Sequence, residues 1–123
     1  MKKVLFPGKF NPIHVGHILQ IAKLLKSYDV TVDVYCNAKK IMKYEEVKRI
    51  LSIVFDGKIN MYSHNKSYTK GFPKEIQAKF DMVASANTEI IKSAFTQGIN
   101  VIQLNRIKGY RASKMKGMYK NEM

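Results

Sequence analysis

Residues 8–17 read Gly-Lys-Phe-Asn-Pro-Ile-His-Val-Gly-His and directly follow the apolar run Val4-Leu5-Phe6, with Pro7 between. His14 and His17 stand three positions apart around Gly16. If a strand turns into a helix here, both imidazoles share one face at the helix start. Helix N-termini carry unpaired backbone N–H groups and partial positive charge, so they bind phosphate. Gly8 lets backbone approach a phosphate with no Cβ in the way. Pro12 fixes φ ahead of the helix, and Gly16 keeps the first turn open to a ligand. Protonated, His14 and His17 can each donate a charge-assisted hydrogen bond to a phosphoryl oxygen. Lys9 adds a point charge. Such a set suits phosphoryl-type transfer, where catalysis is mostly positioning and charge stabilisation. No Ser-His-Asp or Cys-His arrangement is evident, which favours direct displacement over a covalent enzyme intermediate. His-x-x-His could also hold zinc, but such a site needs a third ligand. His64, Cys36 and scattered carboxylates are the remaining choices, so no metal held by protein ligands is expected.

The elements that must position these residues are legible as periodicities. Residues 2–6 read as a buried strand and 15–26 as a helix with its stripe at Val15, Ile18, Leu19, Ala22 and Leu25. Residues 30–36 alternate Val30, Val32 and Val34 with Thr31, Asp33 and Tyr35, a second strand. A second helix is predicted over 44–55, with Val47, Ile50, Leu51 and Val54 on one face, and a third strand over 58–62. Residues 63–74 have no period and read as an exposed loop. A fourth strand follows at 80–85, a helix capped by Asn87 runs to Gln97 before Gly98, and a fifth strand spans 100–104. A last helix is expected near Ala112. Strands alternating with helices imply an α/β fold, a Rossmann-like, doubly wound, five-stranded parallel sheet in a single domain over 1–123. Ligands of such sheets bind at the carboxyl ends of the strands.

The 123 residues suffice for one core, and 46% apolar content is ordinary for a globular chain. No apolar run could span a membrane, and Lys2-Lys3 with Val-Leu-Phe is too short for a signal peptide. Cys36 is the single cysteine. It can form no internal disulfide and fits a reducing, cytoplasmic setting. Twenty-two Lys and Arg against nine Asp and Glu give +13. That excess points to anionic partners: nucleotides, pyrophosphate, nucleic acid or acidic surfaces. A plain solubility charge is the competing reading.

Taken together, Gly8, Phe10, Pro12, His14, Gly16 and His17 resemble the signature of the HxGH nucleotidylyltransferase superfamily, Gly-x-Phe-x-Pro-x-His-x-Gly-His. A second motif of that family, Ser-x-Thr-x-Ile-Arg, is similar to Arg111-Ala112-Ser113-Lys114-Met115-Lys116. Ser113 takes the threonine position and Lys116 the arginine position, and lysine lacks the bidentate fork. Element order and the stretch 83–118 are most similar to the archaeal-type nicotinamide-nucleotide adenylyltransferases. Pantetheine-phosphate adenylyltransferase and the glycerol- and choline-phosphate cytidylyltransferases are similar in the first motif. The resemblance implies transfer of an adenylyl group from ATP to a phosphorylated small molecule, nicotinamide mononucleotide-like, with pyrophosphate released. A different acceptor, or CTP, is the alternative.

The resemblance also implies roles. Gly8, Lys9, Phe10 and Asn11 line the phosphate pocket, and His14 and His17 steady the α- and β-phosphates. Asn87 sits near the base, and Ser113 and Lys116 hold the β- and γ-phosphates. Lys39, Lys40 and Arg49 occupy positions that bind phosphate or acceptor, though each equally fits a solvated surface charge. Asn87 equally fits a plain helix cap. Magnesium comes with the triphosphate, most of its other ligands being water. Relatives are commonly homo-oligomers, and this sequence leaves oligomeric state open. A catalytically degenerate module that binds nucleotide or nucleic acid is the reading from another class, motivated by the charge and the altered second motif.

Overall fold

Val4, Leu5 and Phe6 have almost no exposed surface, so the strand that carries them sits at the middle of the sheet. The computed structural model describes residues 1–36 and 42–105. The predicted ligands Lys39, Lys40, Ser113 and Lys116, and the helix near Ala112, lie outside the described residues. The strands are β1 (Lys3–Gly8), β2 (Asp29–Tyr35), β3 (Asn60–His64), β4 (Met82–Ser85) and β5 (Asn100–Gln103). They form one parallel sheet in the order β3-β2-β1-β4-β5. The helices are α1 (Val15–Leu25), α2 (Tyr44–Val54), α3 (Lys74–Lys79) and α4 (Thr88–Thr96). This is the α/β Rossmann-like arrangement the alternation implies.

Each face of the sheet has its own core, and the two-residue period of β1 divides its side chains between them. Val4 and Phe6 join Ile21 and Leu24 of α1, Val47 and Leu51 of α2, and Val30, Val32 and Val34 of β2. Leu5 and Val83 face Tyr68, Phe72, Ile76, Ile90 and Ala94 on the other side. A fully buried Val, Leu or Phe contributes about 1.5–3 kcal/mol by leaving water. These packed faces therefore hold β1 and β4 in fixed register. Among the described residues, no helix is long and apolar enough to cross a membrane.

The largest departure from the sequence reading is the stretch 63–74. Ser63 and His64 belong to β3, which runs two residues further than predicted. Tyr68–Lys70 forms a 3-10 turn, and Tyr68 and Phe72 are each only 3% exposed. Lys74 opens α3, a short helix with Ile76 buried. The stretch has no period because isolated aromatics, not a repeating face, tie it to the sheet. Phe80 ends α3, so β4 begins at Met82. β1 extends through Pro7 and Gly8, both of which pair in register with β2.

Candidate functional site

β1 and β4 are neighbours whose connections leave to opposite faces of the sheet, α1 to one core and α4 to the other. Between their carboxyl ends lies the crevice where open α/β sheets bind ligands. It holds a cavity of about 420 Å³. The N-termini of both α1 and α4 face it, through His14 and Gly16 on one side and Asn87 on the other. Two positive helix ends and the exposed Lys9 give the cavity its attraction for an anion.

His14 is the N-cap of α1 in extended backbone. Its Nδ1 accepts from the N–H of Gly16 at 3.1 Å. His17 reaches back, and its Nδ1 accepts from the N–H of His14 at 3.2 Å. The pair thus builds a capping box from two imidazoles, with the exchange usually made by Ser and Glu. An Nδ1 that accepts a backbone N–H cannot carry a proton, so each neutral ring has its hydrogen on Nε2. The rings also stack, with centroids 3.8 Å apart. Two unit charges at that range repel by about 4 kcal/mol at an effective dielectric of ~20. The charge-assisted donors of the sequence reading are therefore replaced by two neutral Nε2–H donors, held side by side by the helix start.

No family model matches the chain, and no curated protein matches it.

Partial burial lowers the pKa of His14 below its ordinary 6.5. The unfolded chain then takes up the proton first as pH falls. The stability that neutral His14 contributes is present above pH 6.5 and is lost as pH drops through its lower folded value. A His14→Asn variant keeps a capping acceptor without that titration. Its melting temperature should fall less than that of the native chain between about pH 8 and pH 5. Parallel melting curves across that range check this.

Beneath the histidines lies Phe10, 1% exposed and with φ of 49°. Its ring stacks with Phe6 at 5.8 Å and meets His17 edge-on at 4.8 Å. A Cβ on Gly8 would lie 2.7 Å from the Phe10 ring. The first requirement for glycine at position 8 is thus the phenylalanine two residues on, which packs across the backbone. Gly8→Ala should destabilise the chain by about 1–3 kcal/mol through overpacking, read by urea unfolding. An unchanged midpoint would contradict the packing.

Of the predicted site residues, Gly8, Lys9, Phe10, Asn11, His14, Gly16, His17 and Asn87 line this same cavity. Phe10 does so from below, as packing. The Asn11 side chain accepts from the Met42 N–H at 3.1 Å and so joins the loop after β1 to the segment before α2. Asn87 caps α4, its Oδ1 accepting from Glu89 and Ile90 at 2.9 and 3.4 Å. Arg49 is exposed on α2 and is not brought to the cavity.

Several lining residues escaped the sequence reading. Ser85 ends β4, accepts from the Asn87 N–H at 3.0 Å and shapes the loop into α4. Gln20, Tyr35, His64, Ser67, Tyr68 and Thr69 complete the wall. Behind that wall Asp33 is fully buried. Tyr68 Oη donates to its Oδ2 at 2.6 Å, and His64 Nδ1 lies 2.7 Å from its Oδ1. Burial, and then the bond to Asp33, raise the Tyr68 pKa, so the hydroxyl stays protonated and donates. A polar residue inside an alternating strand reads as solvent-facing; here Tyr68 and Phe72 cover that face. Among the described residues, no three His, Cys, Asp or Glu side chains gather to hold a metal.

Proposed function

We propose that the chain is a nucleotidylyltransferase that moves an adenylyl group from ATP to a small phosphorylated acceptor and releases pyrophosphate. The observation that carries this reading is the pair of Nε2–H donors of His14 and His17. They stand at a helix N-terminus in a cavity of about 420 Å³ that a second helix N-terminus also faces. Neutral N–H donors suit phosphoryl oxygens, which only accept. The resemblance of residues 8–17 to the HxGH signature agrees with this chemistry.

In the proposed reaction an acceptor phosphate oxygen attacks the α-phosphorus in line. The new P–O bond forms as the bond to the bridging oxygen breaks, and its electron pair leaves with pyrophosphate. No proton need be removed from an ionised phosphate nucleophile. His14 and His17 would donate to the oxygens on which charge grows, and Lys9 would steady the chain of phosphates. The described lining of the cavity holds no Asp or Glu. By the resemblance to the HxGH signature, magnesium would come with the triphosphate, most of its other ligands water, and would neutralise phosphate charge. The acceptor is nicotinamide mononucleotide-like by the same resemblance. Phosphopantetheine, glycerol phosphate and phosphocholine are the competitors, and CTP is the alternative donor.

The test is pyrophosphate release from ATP or CTP with each of these acceptors in turn. Release that requires one acceptor supports the proposal; absence of release with all of them refutes it. The +13 charge favours one other reading, a module that binds nucleic acid. It predicts tight binding to DNA or RNA that weakens steeply with salt and no triphosphate chemistry.

A further inference from the structure

His64 lies on β3, two strands from β1, and the order β3-β2-β1 puts about 10 Å between the two carboxyl ends. It lines the same cavity as His14 and His17 but is held in the opposite sense. With Asp33 as a carboxylate, Nδ1 of His64 is the donor in the 2.7 Å contact. When the ring is neutral, the lone pair is therefore on Nε2, and no described residue bonds there. The face of the ring is covered by Tyr68, parallel at 4.0 Å, and Tyr68 in turn stacks on Phe72. What remains for a ligand is an edge.

The arrangement is built at a cost. Asp33 lies between Val32 and Val34, with no exposed surface. A buried carboxylate is expensive unless it is paired and hydrogen-bonded. Both of its side-chain partners, His64 and Tyr68, are residues of the cavity wall. The charge is thus spent on orienting the wall. We propose that His64 determines specificity for the second substrate, its Nε2 accepting a hydrogen bond from an N–H or O–H of that molecule. Asp33 is the positioning residue that sets the tautomer. This rests on the nucleotidyl-transfer reading: donors meet the triphosphate at one end of the cavity, and an acceptor meets a donor-bearing substrate at the other.

The chain has three histidines, so a proton–nitrogen correlation spectrum of the imidazole rings reports each one. His14 and His17 should show the Nε2–H tautomer and His64 the Nδ1–H tautomer. ATP should shift the first two. At least one of nicotinamide mononucleotide, phosphopantetheine and glycerol phosphate, all bearing N–H or O–H groups, should shift His64. Phosphocholine, whose trimethylammonium end has no donor, should leave it in place. In His64→Phe, which keeps the ring stack, the KM for the responding acceptor should rise about 3- to 10-fold, the loss of one hydrogen bond, with the KM for ATP unchanged. An Nε2–H tautomer at His64, a response to ATP alone, or no response to the three donor-bearing molecules overturns the assignment. Pyrophosphate release with His64 unmoved removes the His64 role and leaves nucleotidyl transfer standing. A shifted His64 without release keeps the binding role and removes the transfer.

Discussion

If the chain carries out the proposed nucleotidyl transfer, replacing His17 by alanine should lower the turnover number for pyrophosphate release by about 10²–10³-fold, the range for losing one preorganised donor. Three contacts make His17 the more demanding of the two histidines. Its Nδ1 accepts the His14 N–H, its ring stacks on His14, and its edge meets Phe10. The alanine variant therefore loses a donor to phosphate and also the restraint that aims His14. His17→Asn separates the two effects, since its side-chain oxygen can still accept from the His14 N–H. If the Nε2–H donor carries the rate, both variants are slow in kcat while the KM for ATP changes little. Steady-state pyrophosphate assays over a range of ATP concentrations give both constants. A His17→Ala protein with native turnover would end the proposed mechanism.

Phe10→Ala is expected to cost about 3–5 kcal/mol of folding stability, the usual range for truncating a buried phenylalanine. For a chain of this size that is a fall in melting temperature of roughly 10–20 °C. The reason is position. Phe10 is 1% exposed, sits between Phe6 and His17, and fills the space above Gly8. The same ring sets the penalty for Gly8→Ala, so the two sites are coupled. In a Phe10→Ala background the added methyl at position 8 finds room, and its cost should shrink. A double-mutant cycle by thermal or urea unfolding measures that coupling. Additive effects would show that Gly8 is required for some reason other than the ring.

The sheet and most helices were legible because burial imposes a period. The apolar run of β1, the valines of β2 and the stripes of α1, α2 and α4 repeat at the spacing their faces require. The decapeptide was legible because its residue types are chemical in themselves, and the cavity brings eight of the predicted residues together. Arg49 was left between ligand contact and solvated charge because a cation on an amphipathic helix looks the same in sequence either way; in the fold it is exposed and outside the cavity lining. Most of the 63–74 stretch is exposed as expected, but the burial of Tyr68 and Phe72 was missed because two aromatics without a repeat give no pattern. Tyr68 and Phe72 were available as a signal: large aromatics in a polar stretch tend to find a core.

By itself, then, the sequence determined the succession of strands and helices and the arrival of His14 and His17 at a helix start, since these depend on local spacing and on backbone preference. Protonation geometry was decided by the folded structure, locally at the start of α1 and through tertiary contacts at His64. His14 and His17 became Nε2–H donors because a helix N-terminus had backbone N–H groups to satisfy. His64 became the reverse because β2, its neighbour in the sheet though remote in sequence, supplied Asp33, and a folded-over turn supplied Tyr68 to bury that carboxylate. Those partners lie 31 and 35 residues apart in the chain. Only the closing of one sheet face over a carboxylate makes them a unit.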